Sequence, residues 1–135
     1  MITELQTIIS RNLDPLDSGV VSITAIHGGE AYNVIPETVQ MSGTIRALTM
    51  ERLQWLQDRV RSLTTQVAAA NDCEATVDFP GNAYPPTVND RGVWDSVQKF
   101  AGELLGRDAV HEVPPVMGGE DFAFYTEQVP GCFVA

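Results

Sequence analysis

Two side chains define the chemistry most open to this sequence: the carboxamide of Asn33 and the guanidinium of Arg46. A guanidinium offers a planar fork of donors that matches a carboxylate, and an amide adds a donor for a polarised carbonyl oxygen. Judged by spacing alone, the simpler reading is a solvated surface charge at Arg46 and a turn-shaping residue at Asn33. Further along, residues 118–122 read Gly-Gly-Glu-Asp-Phe. Gly118 and Gly119 allow close backbone approach to a ligand, and Asp121 is placed to cap a short helix over 122–127. The Glu120–Asp121 pair also suits a hard cation or a division of acid and base roles, although a cap plus a solvated charge is the commoner outcome. The histidines are His27 and His111. His27 stands at a predicted strand end before Gly28 and Gly29, where a side chain can face a ligand. Motifs for a zinc protease, a serine or cysteine nucleophile, or a lysine-bearing phosphate loop are absent.

These residues must be held by regular elements. From Thr38 onward, Val39, Met41, Gly43, Ile45 and Ala47 fall on one face, and Thr38, Gln40, Ser42, Thr44 and Arg46 on the other. That period of two predicts a half-buried strand with Arg46 on its polar side. Before it, Ile2, Leu5, Ile8, Ile9 and Leu13 predict a helix over 1–12, stopped by Pro15. Residues 20–27 are apolar on both faces and predict a strand inside a sheet. After it, Thr49 and Glu51 open a helix whose stripe is Leu53, Leu56, Val60, Leu63, Val67 and Ala70. Trp55 lies off that stripe, as a partner contact or an exposed aromatic, and Asn71 is a plausible left-handed stop. Cys73, Ala75, Val77 and Phe79 alternate with polar residues and predict a third strand.

Residues 80–90, PGNAYPPTVND, hold three prolines and no periodicity, the texture of a link between two units. The predicted division is 1–79 and 80–135. Beyond the link, Asp90 can cap a helix with apolar positions Val93, Trp94, Val97, Phe100, Ala101, Leu104 and Leu105, ended by Gly106. Residues 110–113 read as a short strand. The first helix starts without a lead-in and the last residues are apolar, so both ends look severed from a larger fold.

A chain of 135 residues with 44% hydrophobic and 19% charged residues can bury a core. A formal net charge of -10 argues against nucleic acid and against an anionic membrane surface. No apolar run reaches spanning length and no signal peptide is evident. Cys73 and Cys132 sit outside any ligand cluster and read as buried free thiols of a cytoplasmic protein.

Taken together, ITELQTIISRNLDPLDSGVVSITAIHGG, AYNVIPETVQMSGTIRAL, YPPTVND and PPVMGGEDFAFY resemble the di-metal amidohydrolases. That family includes hippurate hydrolase, N-acyl-amino-acid amidohydrolase and indole-acetyl-amino-acid hydrolase, relatives of carboxypeptidase G. The resemblance implies an α+β lid: a four-stranded antiparallel, ferredoxin-like sheet with two helices on one face, which dimerises. Residues 1–79 resemble that lid without its first strand, and 80–135 resemble a partial return into an α/β catalytic domain. It implies that Asn33 and Arg46 reach across a homodimer to bind the substrate carboxylate or the oxyanion, and that Gly118, Gly119 and Glu120 line the cleft. It also implies cleavage of N-acyl amino acids with two divalent metal ions, zinc or manganese. The family's Cys-x-His, Glu-Glu and further histidine ligands are not in this sequence, so the chain is expected to bind no metal and to be inactive alone. A non-catalytic α+β dimerisation or small-carboxylate-binding module is the alternative.

Overall fold

The computed structural model describes residues 1–79, 81 and 84–134. Contacts divide the chain into two units, one of Met1–Ala47 with Glu51–Phe79, the other of Leu48–Met50 with Pro80–Ala135.

In the first unit, helix α1 spans Ile2–Thr7 and runs on into a π-helical turn over Ile8–Asn12. The wider turn is closed by the Leu13 N–H donating to the Ile8 carbonyl at 3.0 Å. Strand β1 is Gly19–His27 and β2 is Gln40–Ala47, paired antiparallel. Helix α2, Met50–Ala69, follows. Leu5, Ile8, Val21, Leu56 and Val60 form the core, so one helix turn, one strand and one long helix each contribute their apolar stripe. Two polar ties hold α2 to the preceding chain: Arg59 Nε donates to Asn12 Oδ1 at 3.0 Å, and Arg52 pairs with Asp17. The chain is thus α+β with a two-stranded antiparallel sheet.

Several expectations change here. β1 has one strand neighbour among the described residues, so it is not an interior strand. Residues 73–79 keep a period of two in burial from Ala75 to Phe79 but belong to no ladder, and residues 110–113 form no strand. Alternating side chains need only one apolar face to pack, whereas a strand also needs a neighbour for its main chain. Trp55 is partly buried against the core, with the Arg52 guanidinium 5.2 Å over its ring, so it is a packing residue. The left-handed residue after α2 is Asp72 (φ 53°), not Asn71, whose side chain instead donates to the Val67 carbonyl. Cys73 is exposed and Cys132 half-buried, both as free thiols.

The second unit contains α3, Arg91–Leu105, and α4, Ala123–Thr126. Asp90 caps α3 as expected, accepting from the Val93 N–H at 2.9 Å, and Gly106 ends it at φ 90°. Beside this cap, Asn89 uses both ends of its amide on one residue. Its Nδ2 donates to the Phe133 carbonyl at 3.1 Å and its Oδ1 accepts the Phe133 N–H at 2.8 Å. The Asp90 N–H adds a bond to the Gly131 carbonyl at 2.8 Å. A side chain here stands in for a strand neighbour. Phe122 packs on Phe133 and Tyr125 nearby, each at 5.9 Å between ring centroids. Prolines 85 and 86 and the Asn89–Asp90 pair are described, whereas residues 80, 82 and 83 of the expected link lie outside the described residues.

Candidate functional site

The site begins with the ladder that carries Arg46. Facing pairs run from Gly19 with Ala47 and Val20 with Arg46 to Ile26 with Met41 and His27 with Gln40. On β2, Met41, Ile45 and Ala47 are half-buried, while Gln40, Ser42, Thr44 and Arg46 are exposed. The polar face expected from alternation is therefore present, and Arg46 is exposed on it. Its backbone is fixed by the ladder, and the residue is not without interactions in this structure.

A bulge alters what shares that face. Ile23 faces Gly43 and Ala25 faces Ser42, so Thr24 is the extra residue on β1. Strict alternation from Val21 would turn His27 to the core side. The inserted residue reverses the parity beyond it, so His27, opposite Gln40, joins the Ser42, Thr44 and Arg46 face. Gly43 is what lets the strands close at this point. A Cβ there would lie 1.9 Å from the Ser22 carbonyl oxygen, too close for any side chain. A glycine within an otherwise alternating strand is a bulge signal that sequence reading can use.

Asn33 sits in the 28–39 loop that joins the strands, in a turn closed by the Val34 N–H donating to the Ala31 carbonyl at 3.2 Å. It is exposed, and its neighbours Tyr32 and Ile35 are almost wholly so, at 107% and 94%. The loop leaves the ladder at His27 and Gln40, the end opposite Arg46. From Gln40 to Arg46 the strand advances by roughly 20 Å at about 3.4 Å per residue. The ladder thus does not bring the two donors together. A hollow of about 440 Å³ lies in the loop, lined by Gly29, Glu30, Val34, Pro36 and Glu37 among others. Asn33 does not line it and two carboxylates do, so this hollow is a poor receptor for an anion.

In the second unit, Gly118 has open space where a Cβ would go, and Gly119 lies flush against Tyr84, a Cβ there falling 3.2 Å from the ring. Tyr84 also packs on Phe124 at 5.9 Å. Glu120 is half-buried, and its Oε1 accepts the Phe122 N–H at 3.2 Å. Glu120, not Asp121, therefore supplies the carboxylate before α4, since the turn brings the residue two positions back to that N–H. That bond also commits one of its two oxygens.

Among the described residues no group of three or more His, Cys, Asp and Glu is arranged to hold a metal ion. His27 and His111 do not share such a group, so these residues do not fit a metal centre. Among the described residues, no helix is long and apolar enough to cross a membrane.

Comparison with known proteins places this geometry in context. The chain is 41% identical over 136 residues to IAA-amino acid hydrolase ILR1-like 4 of Arabidopsis thaliana, covering 98% of this chain and 31% of that one. It is 38% identical over 133 residues to N-acetyldiaminopimelate deacetylase of Halalkalibacterium halodurans, covering 97% and 35%. The crystal structure of the Bacillus subtilis YXEP protein, a dinuclear metal binding peptidase from the M20 family, superposes with a TM-score of 0.72 at 35% identity, over 96% of this chain and 35% of that one. The chain thus spans about a third of the length of these relatives. Residues 7–135 match peptidase family M20/M25/M40, and the chain belongs to that family.

Proposed function

We propose that this chain supplies the substrate-gripping and dimerising part of a metal-dependent amidohydrolase that cleaves the amide bond of N-acyl amino acids. On this reading residues 1–79 are a ferredoxin-like lid lacking its first strand, its helices on one face, and 80–135 are a partial return into the catalytic domain. The lid forms a cytoplasmic homodimer through its sheet and helices, and the 135-residue chain is inactive alone. The carrying observation is Arg46 exposed on the polar face of a ladder-fixed strand, in a chain whose relatives are named for acting on amino-acid amides. A guanidinium on a rigid strand loses little freedom when it pairs with a carboxylate.

Asn33 and Arg46 then act as two separate contacts toward the partner's reaction centre. One takes the substrate carboxylate and the other the oxygen of the tetrahedral intermediate. Gly118, Gly119 and the uncommitted oxygen of Glu120 line the cleft. Two zinc or manganese ions would supply an activated water. The described residues here do not fit them, so that chemistry belongs to the remainder of a family-length polypeptide.

The test joins these residues to such a polypeptide and compares Arg46 with Arg46→Ala on an N-acyl amino acid. Loss of an oxyanion donor lowers kcat by about 10²- to 10³-fold. An unchanged rate in Arg46→Ala removes that residue from the site. The alternative, a small-carboxylate-binding module without catalysis, predicts saturable binding of an N-acyl amino acid by the 135-residue chain itself, readable by titration calorimetry.

A further inference from the structure

The 28–39 loop is pinched where it leaves the ladder. A Cβ on Gly28 would fall 2.8 Å from the Val39 side chain, and one on Gly29, at φ 76°, would lie 3.6 Å from the Pro36 ring. Two glycines thus let the two arms of the loop close on each other. Beyond the pinch, the Ala31–Val34 turn carries Tyr32 and Asn33 at its two central positions, both exposed. A second hollow, of about 320 Å³, shares Glu30, Val34 and Pro36 with the hollow described above and adds Tyr32 to the lining. Apolar side chains exposed singly need no explanation, but here Tyr32, Val34 and Pro36 line one concavity beside Asn33. Two carboxylates, Glu30 and Glu37, lie in the lining of the larger hollow and make it unfit for an anion.

We propose that this concavity receives the acyl group of the substrate, and that it takes a neutral, apolar acyl group in preference to an acidic one. This rests on the reading above that Asn33 contacts the substrate, and it assigns to Asn33 the oxygen of the scissile carbonyl. A neutral amide donor suits that oxygen, whereas a carboxylate is better matched by a guanidinium. The carbonyl oxygen and the acyl chain are attached to the same carbon. Neighbouring Cα atoms are about 3.8 Å apart, so a chain leaving the carbonyl held by Asn33 begins within reach of Tyr32. The Tyr32 ring is wholly exposed, and a flat apolar group covering it removes apolar surface of both from water. An acidic acyl group entering the same space would meet the Glu30 carboxylate, like charge on like charge.

The joined, metal-loaded polypeptide of the preceding test reads this on three substrates that share one amino acid and carry acetyl, benzoyl or succinyl as the acyl group. Tyr32→Ala should lower the benzoyl-to-acetyl ratio of kcat/KM by roughly 2- to 10-fold, and Tyr32→Phe should keep it. Glu30→Gln should raise the succinyl-to-acetyl ratio by roughly 2- to 5-fold. Leu16→Ala, at a side chain 96% exposed outside the loop, should leave both ratios unmoved. Melting temperatures close to the parent confirm that each variant is folded. Asn33→Ala separates the two ways of failing. Unchanged rates in Asn33→Ala, or a parent inactive on all three substrates, overturn the reading of Asn33 and this pocket with it. Slower turnover in Asn33→Ala, with both ratios unmoved by Tyr32→Ala and Glu30→Gln, overturns the pocket and leaves the Asn33 contact standing. So does an equal fall on all three substrates in Tyr32→Ala, the result expected if another stretch of a longer chain fills the hollow. A higher benzoyl-to-acetyl ratio in Tyr32→Ala makes the ring a barrier and also overturns the pocket.

Discussion

The two units answer the same sequence signal differently. α2 and α3 both carry an apolar stripe at helical spacing. α2 buries Leu53, Leu56, Val60, Thr64 and Ala68, whereas α3 buries no residue and leaves Phe100, Leu104 and Leu105 exposed. Among the described residues of the second unit, only Pro85 and Ala123 are buried. The first unit is held by packing around one cluster. The second is held by caps, by the Asn89 amide and by a few aromatic contacts. Amphipathicity states that a face can be buried; a partner surface decides whether it is.

Substitutions can sharpen or break this contrast, and chemical denaturation reads all of them. Leu56→Ala removes a side chain with no exposed surface from the first unit and should cost about 2–5 kcal/mol. Gly43→Ala drives a methyl into the Ser22 carbonyl and should cost about 1–3 kcal/mol, because backbone on both sides must shift. A neutral result there would mean that the bulge is not fixed by this glycine. Asn89→Ala withdraws two hydrogen bonds from Phe133 and should cost about 1–2 kcal/mol in the second unit. Leu104→Ala, at a side chain 83% exposed, should change stability by less than about 0.5 kcal/mol. If Leu104→Ala cost as much as Leu56→Ala, the contrast between the helices would be lost.

Much of this was readable in advance where the signal is local. The β2 alternation, the first half of the α2 stripe, the Asp90 cap and the Gly106 stop each depend on residues within a turn or two; in the second half of α2 the buried positions are Thr64 and Ala68, and Ala70 is exposed. The family was readable from four motifs in order. The cap before α4 was read one residue off, because Glu120 and Asp121 offer the same carboxylate and only the turn geometry chooses between them. The bulge was missed because Thr24 breaks no pattern by itself; it becomes visible only when β1 is laid against β2. With it went the placement of His27, which alternation alone assigns to the wrong side.

Residue types and their spacing were enough to set which stretches are helical or extended, which face of β2 is polar, and that Arg46 belongs to it. Those properties follow from backbone periods of 3.6 and 2 acting on neighbouring side chains. Pairing between distant stretches set the rest. It left residues 74–79 without a ladder, turned His27 outward, separated Arg46 from the loop end of the ribbon, and left the apolar stripe of α3 only half-covered, with Phe100, Leu104 and Leu105 exposed. A hydrogen-bonded neighbour or a covering surface is contributed by another part of the fold, and no local pattern encodes its presence.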